Sequence, residues 1–150
     1  MSTKKIERIV EFAAGRSNVT SCSFSNKSNE LLSVGGDDGS LNFWHVKSTN
    51  CIMQLPPLNS PVTSIQFDKS DDMICVGARS GCLRIYNLQT SKVLKTLAGH
   101  KASVNCIDFH PYGDFLASCS DDHKVRMWDV RRKGCIYTYK DHTDQVVIVI

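Results

Sequence analysis

Three residues in the last third of the chain have types that could carry out nucleophilic chemistry together: His100, Ser118 and Asp122. When the serine of a Ser-His-Asp triad acts as a nucleophile, the imidazole takes the proton of the hydroxyl, and the carboxylate holds the imidazole in the required tautomer. Ser118 is not flanked by the glycines of a nucleophile elbow, and the chain has no glycine-rich phosphate loop. The residue types therefore raise a hydrolase hypothesis without the local sequence that such an enzyme uses.

A second feature with chemical potential is the basic run Arg131-Arg132-Lys133. Guanidinium and ammonium groups that cluster in a loop attract acidic surfaces, and the attraction weakens as salt is added. The alternative is an ordinary solvated loop, in which the long stems of these side chains cover apolar surface. The sequence leaves both interpretations open.

Bulk composition limits the classes of protein and partner to be considered. The chain has 150 residues, a formal net charge of +3 and 41% hydrophobic residues, as is usual for a globular domain. No apolar run is long enough for a secretory signal or a bilayer span, and the slight charge requires neither nucleic acid nor a membrane as partner. The seven cysteines are too far apart for a zinc pair, and we interpret them as buried, reduced thiols. We expect a soluble intracellular protein with no metal and no cofactor.

The elements that must position these residues recur with a period of 42 or 43 residues. Valine-led segments restart at Val19, Val62, Val104 and Val146. An aromatic anchor recurs in step with them, at Trp44, Tyr86 and Trp128. Two anchors that keep the same register over three periods indicate a structural repeat.

Each period contains about four short runs that are rich in β-branched and aromatic residues. In the third repeat the predicted strands are Val104–His110, Phe115–Ser118, Lys124–Asp129 and Cys135–Tyr139. A four-stranded sheet of this size cannot bury both faces alone, so neighbouring sheets must stack. The prediction is an all-β fold, a β-propeller present as an incomplete arc of about three and a half four-stranded antiparallel blades.

The whole chain is predicted to form one partial propeller domain. Its repeats are assigned to residues 15–55, 58–97 and 99–139, and a fourth repeat begins at 141–150. Residues 6–12 are predicted to form the outer strand of the blade that closes the ring. A ring with this period needs about seven blades, so we expect the arc to be part of a longer propeller.

The third repeat resembles the WD40 repeat, because Gly99-His100 opens it and Trp128-Asp129 ends its third strand. In that family the indole donates to a hydroxyl, the hydroxyl meets an imidazole, and a carboxylate in a tight turn holds the imidazole. Each buried polar group thereby has a partner. The resemblance implies a structural network of four side chains: His100, Ser118, Asp122 and Trp128. We favour this role over the hydrolase hypothesis.

The first two repeats depart from this pattern. Gly15 and Leu58 stand at the positions that correspond to the histidine, and Tyr86 replaces the tryptophan in the second repeat. We therefore expect these two repeats to depend on apolar packing.

Longer stretches resemble the WD40-containing regulatory subunits of katanin, the microtubule-severing enzyme; they include Leu97–Lys101, Asp108–Gly113 and Trp128–Ile136. The resemblance implies a non-catalytic targeting subunit, whose ATPase partner is a separate chain bound through a helical C-terminal region absent from this sequence. It further implies contacts with microtubules or tubulin, or with adaptors at centrosomes and spindle poles, and a location in the cytoplasm and on the cytoskeleton. Asp129 and the basic run then become candidate partner-binding residues.

The tetrapeptide Trp128-Asp129-Val130-Arg131 supports an alternative function. It resembles the box by which WD40 substrate receptors dock on the adaptor of cullin-RING ubiquitin ligases. The resemblance implies that Asp129 orients the planar guanidinium of Arg131 towards backbone or carboxylate groups of the adaptor. The same tetrapeptide also arises wherever a WD40 strand ends before a basic loop, so a purely structural interpretation stays open.

Overall fold

The computed structural model describes residues 11, 14, 17–27, 30–112, 114–132, 134–140 and 142–147. Within these ranges the chain forms twelve β-strands: β1 (Val19–Phe24), β2 (Leu31–Gly36), β3 (Leu41–His45), β4 (Cys51–Leu55), β5 (Val62–Phe67), β6 (Met73–Ala78), β7 (Cys82–Asn87), β8 (Lys92–Ala98), β9 (Val104–Phe109), β10 (Phe115–Ser120), β11 (Val125–Asp129) and β12 (Cys135–Tyr139). Hydrogen bonds join them in chain order into three antiparallel four-stranded sheets, β1–β4, β5–β8 and β9–β12. The prediction of an all-β fold made of four-stranded antiparallel blades is confirmed.

The tight turn between the second and third strands of each sheet needs a left-handed backbone. Gly39, Gly81 and His123 supply it, with φ of 78°, 83° and 63°. A Cβ on Gly39 would also lie 2.1 Å from the carbonyl oxygen of Leu58, in the segment that leads to the next sheet. Because His123 is still part of the turn, β11 begins at Val125, one residue later than predicted.

The three sheets stack face to face, and their first strands β1, β5 and β9 lie next to one another. One apolar core between the first and second sheets includes Phe43, Phe67 and Tyr86. A second core between the second and third sheets includes Ile85 and Trp128. Burying a large apolar side chain contributes roughly 1.5–3 kcal/mol, so these two cores join the sheets into one body.

The sheets approach closely where a glycine in a second strand faces the first valine of the next sheet. A Cβ on Gly35 would lie 2.4 Å from Val62 Cγ1, and a Cβ on Gly77 would lie 2.7 Å from Val104 Cγ1. Neither gap has room for a methyl group. Val62 and Val104, two of the four valines that define the repeat, are therefore fully buried against glycine backbone.

Contacts of the first strands repeat from sheet to sheet. Thr63, the second residue of β5, donates its hydroxyl to the carbonyl of Val104. Asn105, the second residue of β9, donates its side-chain amide to the carbonyl of Val146 at 3.0 Å. Val146 thus stands against β9 as Val104 stands against β5, although residues 142–147 form no strand. The predicted closing strand at 6–12 lies outside the described residues, apart from Glu11, which is not in a strand.

The first sheet exposes apolar groups that the repeat buries elsewhere. Phe24 is 54% exposed in β1, whereas the equivalent Phe67 is 1% exposed in β5. Val19 is likewise exposed, unlike the two later valines of the repeat. On the third sheet Tyr137 and Tyr139 are exposed, with ring centroids 4.6 Å apart. In the part of the chain that the structure describes, no further sheet packs on these outer faces.

All seven cysteines are free thiols. Cys75 and Cys119 are buried, and burial raises the pKa of both thiols, that of Cys119 to about 11. The expectation that the cysteines are buried is wrong for Cys22 and Cys51, which are exposed because they lie on the open face of β1 and on the outer strand β4. The other three cysteines, Cys82, Cys106 and Cys135, are half-buried. Over the described ranges, the structure contains no helix that is long and apolar enough to cross a membrane.

We predict that Gly77→Ala lowers the free energy of unfolding by about 1–3 kcal/mol, because the new methyl group overlaps Val104 Cγ1. Val104→Ala creates a cavity at the same place and is also destabilising. The double variant should be clearly more stable than the sum of the two changes predicts, because one change makes the space that the other fills. Urea denaturation of the four proteins measures this coupling. Strictly additive effects would show that the two sheets are not in contact here.

Candidate functional site

Four side chains of the third sheet come together at one of its ends. His100 lies in the connection from β8 to β9, Ser118 in β10, Asp122 in the turn from β10 to β11, and Trp128 in β11. Trp128 Nε1 and His100 Nε2 each lie 2.8 Å from Ser118 Oγ. His100 Nδ1 lies 3.0 and 3.1 Å from the two carboxylate oxygens of Asp122.

When the imidazole is neutral, only one assignment of donors and acceptors gives every group in this network a hydrogen-bond partner. The indole nitrogen of Trp128 can only donate, so Ser118 Oγ accepts from it. The hydroxyl of Ser118 then donates to His100 Nε2, and Nδ1–H donates to the Asp122 carboxylate. Asp122 also accepts the backbone N–H of Lys101 at 3.0 Å, so it ties the turn to the connection that enters the sheet.

The electrostatics of the pair fit this proton order. Burial lowers the pKa of His100 below its ordinary value of 6.5; the hydrogen bond to Asp122 and its charge oppose this shift without cancelling it, and the charge of Arg126 adds to it. Burial acts to raise the pKa of Asp122, but the donors from Lys101 and His100 outweigh it, so the pKa lies below its ordinary value of 3.8. A neutral imidazole beside an ionised carboxylate follows.

The geometry does not favour Ser118 as a nucleophile. Its side chain is fully buried, and its oxygen is held between Trp128 and His100. A substrate carbonyl could reach Oγ only by displacing one of these groups, whereas a nucleophilic serine needs open access and nearby oxyanion donors. No three His, Cys, Asp or Glu side chains among the described residues are grouped so that they could hold a metal ion. We interpret the network as a structural lock between strands and turns.

The equivalent positions of the second sheet use a different solution. Tyr86 occupies the tryptophan position, and its hydroxyl donates to the Pro56 carbonyl at 2.9 Å. Leu58, at the histidine position, is buried in the first apolar core. In the first sheet Trp44 is buried as well, while Gly15 lies outside the described residues. The second sheet therefore has mainly apolar groups at the positions where the third sheet has a polar network.

Asp129 and the basic residues lie at the opposite end of the third sheet, where β11 leads into β12. Asp129 Oδ1 accepts the backbone N–H of Arg131 at 2.7 Å and that of Arg132 at 3.1 Å. These bonds, chiefly the one from Arg132, lower the pKa of Asp129. The guanidinium of Arg131 pairs instead with Asp114, at 2.5 Å. The expectation that Asp129 orients the Arg131 guanidinium is wrong for this structure, because the guanidinium pairs with Asp114 while Asp129 Oδ1 holds the loop backbone.

Sequence reasoning missed Lys95, which helps to fix the basic loop. From β8 of the second sheet, its ammonium donates to the carbonyls of Val130 and Arg132, the latter at 3.2 Å. No local pattern reveals this contact, because the partners are 35 and 37 positions apart and lie on different sheets. The loop is held by its backbone, and the side chains of Arg131 and Arg132 are exposed. Lys133 lies outside the described residues.

Three antiparallel four-stranded sheets with adjacent first strands, and a Trp–Ser–His–Asp network in one of them, define an arc of a WD40-type β-propeller. Residues 7–45 and 91–129 match the profile of the WD domain, G-beta repeat family. Residues 56–109 match that of the anaphase-promoting complex subunit 4 WD40 domain. Because the first profile covers more than half of the chain, the chain belongs to the WD40 repeat family.

Solved structures and curated proteins give two levels of likeness. The structures titled "Structure of U3-55K" and "Crystal structure of RRP9 WD40 repeats" align with TM-scores of 0.82 over 89% of this chain and 42% of each of theirs. At 22% identity this likeness shows the fold alone.

Katanin p80 WD40 repeat-containing subunit B1 is 46% identical over 66 residues in Xenopus tropicalis and 44% identical over 64 residues in Gallus gallus, which is 44% and 43% of this chain. The chain spans about a tenth of the length of these relatives.

We predict that Ser118→Ala lowers the free energy of unfolding by about 1–3 kcal/mol, because it leaves a buried indole N–H and an imidazole nitrogen without partners. Ser33→Ala is the matched control, since Ser33 is equally buried but donates only to the Ser23 carbonyl. Its cost should be smaller, about 1 kcal/mol or less. Chemical denaturation compares the two variants, and equal costs would show that the Ser118 hydroxyl does not link two buried donors and acceptors.

Stability should fall on mild acidification because of His100. Its pKa is lowered in the folded chain, so below the ordinary value of 6.5 the unfolded chain binds the extra proton. The stabilisation that neutral His100 gives the folded chain is therefore complete above pH 6.5, and it is lost as the pH falls from 6.5 towards the lower pKa of His100 in the folded chain. Denaturation at about pH 7.5 and about pH 5.5 brackets the window in which histidines ordinarily titrate.

His100→Gln is the control for this pH dependence, because it removes one titrating group and keeps the other four histidines. The variant should be less stable at neutral pH but should lose less stability between the two pH values. A loss identical to that of the unaltered chain would mean that His100 does not titrate differently on folding.

Proposed function

We propose that this chain is the targeting part of a microtubule-severing complex and acts as a protein-interaction scaffold with no catalysis of its own. The observation that carries the proposal is the 46% identity over 66 residues with Katanin p80 WD40 repeat-containing subunit B1 of Xenopus tropicalis. Membership of the WD40 repeat family supports the same general role, because a propeller blade offers fixed loops and edges to protein partners.

The basic loop that begins at Arg131 supports a contact with an acidic polymer surface. The side chains of Arg131 and Arg132 are exposed, and that of Arg131 also pairs with Asp114. Asp129 and Lys95 hold the loop backbone from two sides. A fixed loop loses little conformational entropy on binding, so its charges act efficiently on an acidic partner. In this proposal the loop touches the microtubule lattice or tubulin, and the location is cytoplasmic and cytoskeletal, at microtubules, centrosomes and spindle poles.

Catalysis in this proposal belongs to a partner. The katanin ATPase subunit would be bound by a region outside residues 1–150, so the propeller arc would supply position and the partner would supply ATP-driven severing. This division agrees with the buried state of Ser118, the residue on which a nucleophilic role would depend.

The ubiquitin-ligase alternative gains no support from the geometry. Docking of that kind was expected to use the Arg131 guanidinium as oriented by Asp129, and the structure pairs this guanidinium with Asp114. We therefore do not propose it.

We predict that the full chain co-sediments with microtubules in a salt-sensitive manner, and that replacing Arg131, Arg132 and Lys133 together by alanine weakens binding at least about fivefold at low salt. The matched control replaces Lys27, Lys47 and Lys69 by alanine. It removes the same charge from exposed loops at the same end of the arc. The control should bind almost as well as the unaltered chain. Equal loss in both variants would mean that only overall charge matters, and no loss in either would exclude the loop.

A further inference from the structure

The outer edge of the second sheet is open to a further strand. β8 is the last strand in the order β5–β6–β7–β8, so in the described structure one side of it pairs with β7 and the other side has no neighbouring strand. An unpaired strand edge carries a row of backbone donors and acceptors that can pair with another extended chain. Both neighbouring sheets are present beside β8, so its exposure does not arise from the open ends of the arc.

A groove follows this edge. It has a volume of about 520 Å³ and is lined by residues 93–98 of β8, with Trp128 and Gly134 of the third sheet on the other side. Val93 and Leu94 are exposed although they are apolar, and Leu94 is 48% exposed. Six consecutive residues of an extended strand span about 20 Å, so the groove matches an extended peptide rather than a compact small molecule.

Basic groups lie at one end of this groove. Lys92 is exposed at the start of β8. Arg132 is exposed as well. It lies near the groove, because its backbone carbonyl accepts a hydrogen bond from Lys95, which lines the groove. The cations at this end outnumber the carboxylates, because Lys92, Lys95, Arg131 and Arg132 carry four positive charges against two negative charges on Asp114 and Asp129. The charge left for a partner is positive, so the complementary partner is acidic.

We propose that the edge of β8 and its groove bind an extended, acidic segment of a partner protein by β-strand addition, with alternate apolar side chains of the segment on the face that carries Leu94. The backbone of the segment pairs with the edge of β8, and its carboxylates face Lys92 and Arg132. This surface goes beyond the targeting role proposed above and does not depend on it.

The probe is a fluorescein-labelled peptide of alternating Glu and Val residues, about seven residues long, which is roughly the length of the groove. Fluorescence anisotropy with the full 150-residue chain should show saturable binding. Leu94→Glu should weaken it about tenfold or more, as expected for an apolar anchor at the centre of an interface. A peptide with Lys in place of Glu should bind much more weakly. Equal binding of the two peptides would overturn the charge argument.

Ile52→Glu is the matched control. Ile52 holds in β4 the position that Leu94 holds in β8, one residue past the partner of the aromatic anchor, and it is 56% exposed. This variant should bind the peptide as the unaltered chain does. Equal loss in both variants, or no binding by the unaltered chain, would overturn the proposal. Far-ultraviolet circular dichroism of both variants separates loss of binding from loss of folding.

Peptide N-methylation tests strand addition directly. Methyl groups on the Val amides and methyl groups on the Glu amides block opposite edges of the peptide, so one pattern should abolish binding and the other should preserve it. Similar binding by both methylated peptides would overturn backbone pairing.

A different outcome would assign the edge to a second copy of the chain. In that case the chain would associate with itself, Leu94→Glu would abolish the association, and the peptide would not bind. Because Leu94→Glu keeps the basic loop, its microtubule binding stays a separate readout.

Discussion

The structure depends on one constraint: a four-stranded sheet must bury the apolar side chains of a face by packing that face against a neighbouring sheet. The contact that meets it places the first valine of one sheet against a glycine in the second strand of the sheet before it, as in Gly35 with Val62 and Gly77 with Val104. The spacing at both contacts is too small for a methyl group. These contacts fix the register of the strands, since a shift of one residue would move every inward side chain of a strand to the opposite face.

Buried polar groups at the ends of the sheets need hydrogen-bond partners, and the second and third sheets meet this need in two different ways. The third sheet buries a complete chain of donors and acceptors from Trp128 through Ser118 and His100 to Asp122. The second sheet replaces this chain with Leu58 in the apolar core and Tyr86, whose hydroxyl reaches a backbone carbonyl. A partly satisfied network would be worse than either solution, because each unpaired buried group costs about 1–3 kcal/mol. The residue types of a nucleophilic triad thus serve a structural end.

The sequence was informative wherever the period applies. The strand starts at Val62 and Val104 and the four-stranded sheets could be inferred from spacing, because register and burial repeat with the period. The side chains that meet around Ser118 were expected from the resemblance to the WD40 repeat. Contacts between side chains on different sheets could not. Lys95 reaches the loop after β11, and Asp71 accepts the backbone N–H groups of Asn26 and Lys27, with no sequence signal for either contact. The role assigned to Asp129 failed for a different reason, since Asp129 Oδ1 accepts the backbone N–H groups of Arg131 and Arg132 while the Arg131 guanidinium pairs with Asp114.

The two ends of the third sheet consequently differ: one holds a buried network with a neutral imidazole, and the other presents exposed basic side chains on a fixed loop backbone. Both depend on the stacking of sheets, which hydrogen–deuterium exchange measures most directly. Only the second sheet is covered on both faces within the described residues, so the amides of β5, β6 and β7 should exchange most slowly, and those of β1 should exchange much faster despite their equivalent place in the repeat. Equal protection of β1 and β5, or protection greatest in the first sheet, would contradict the account.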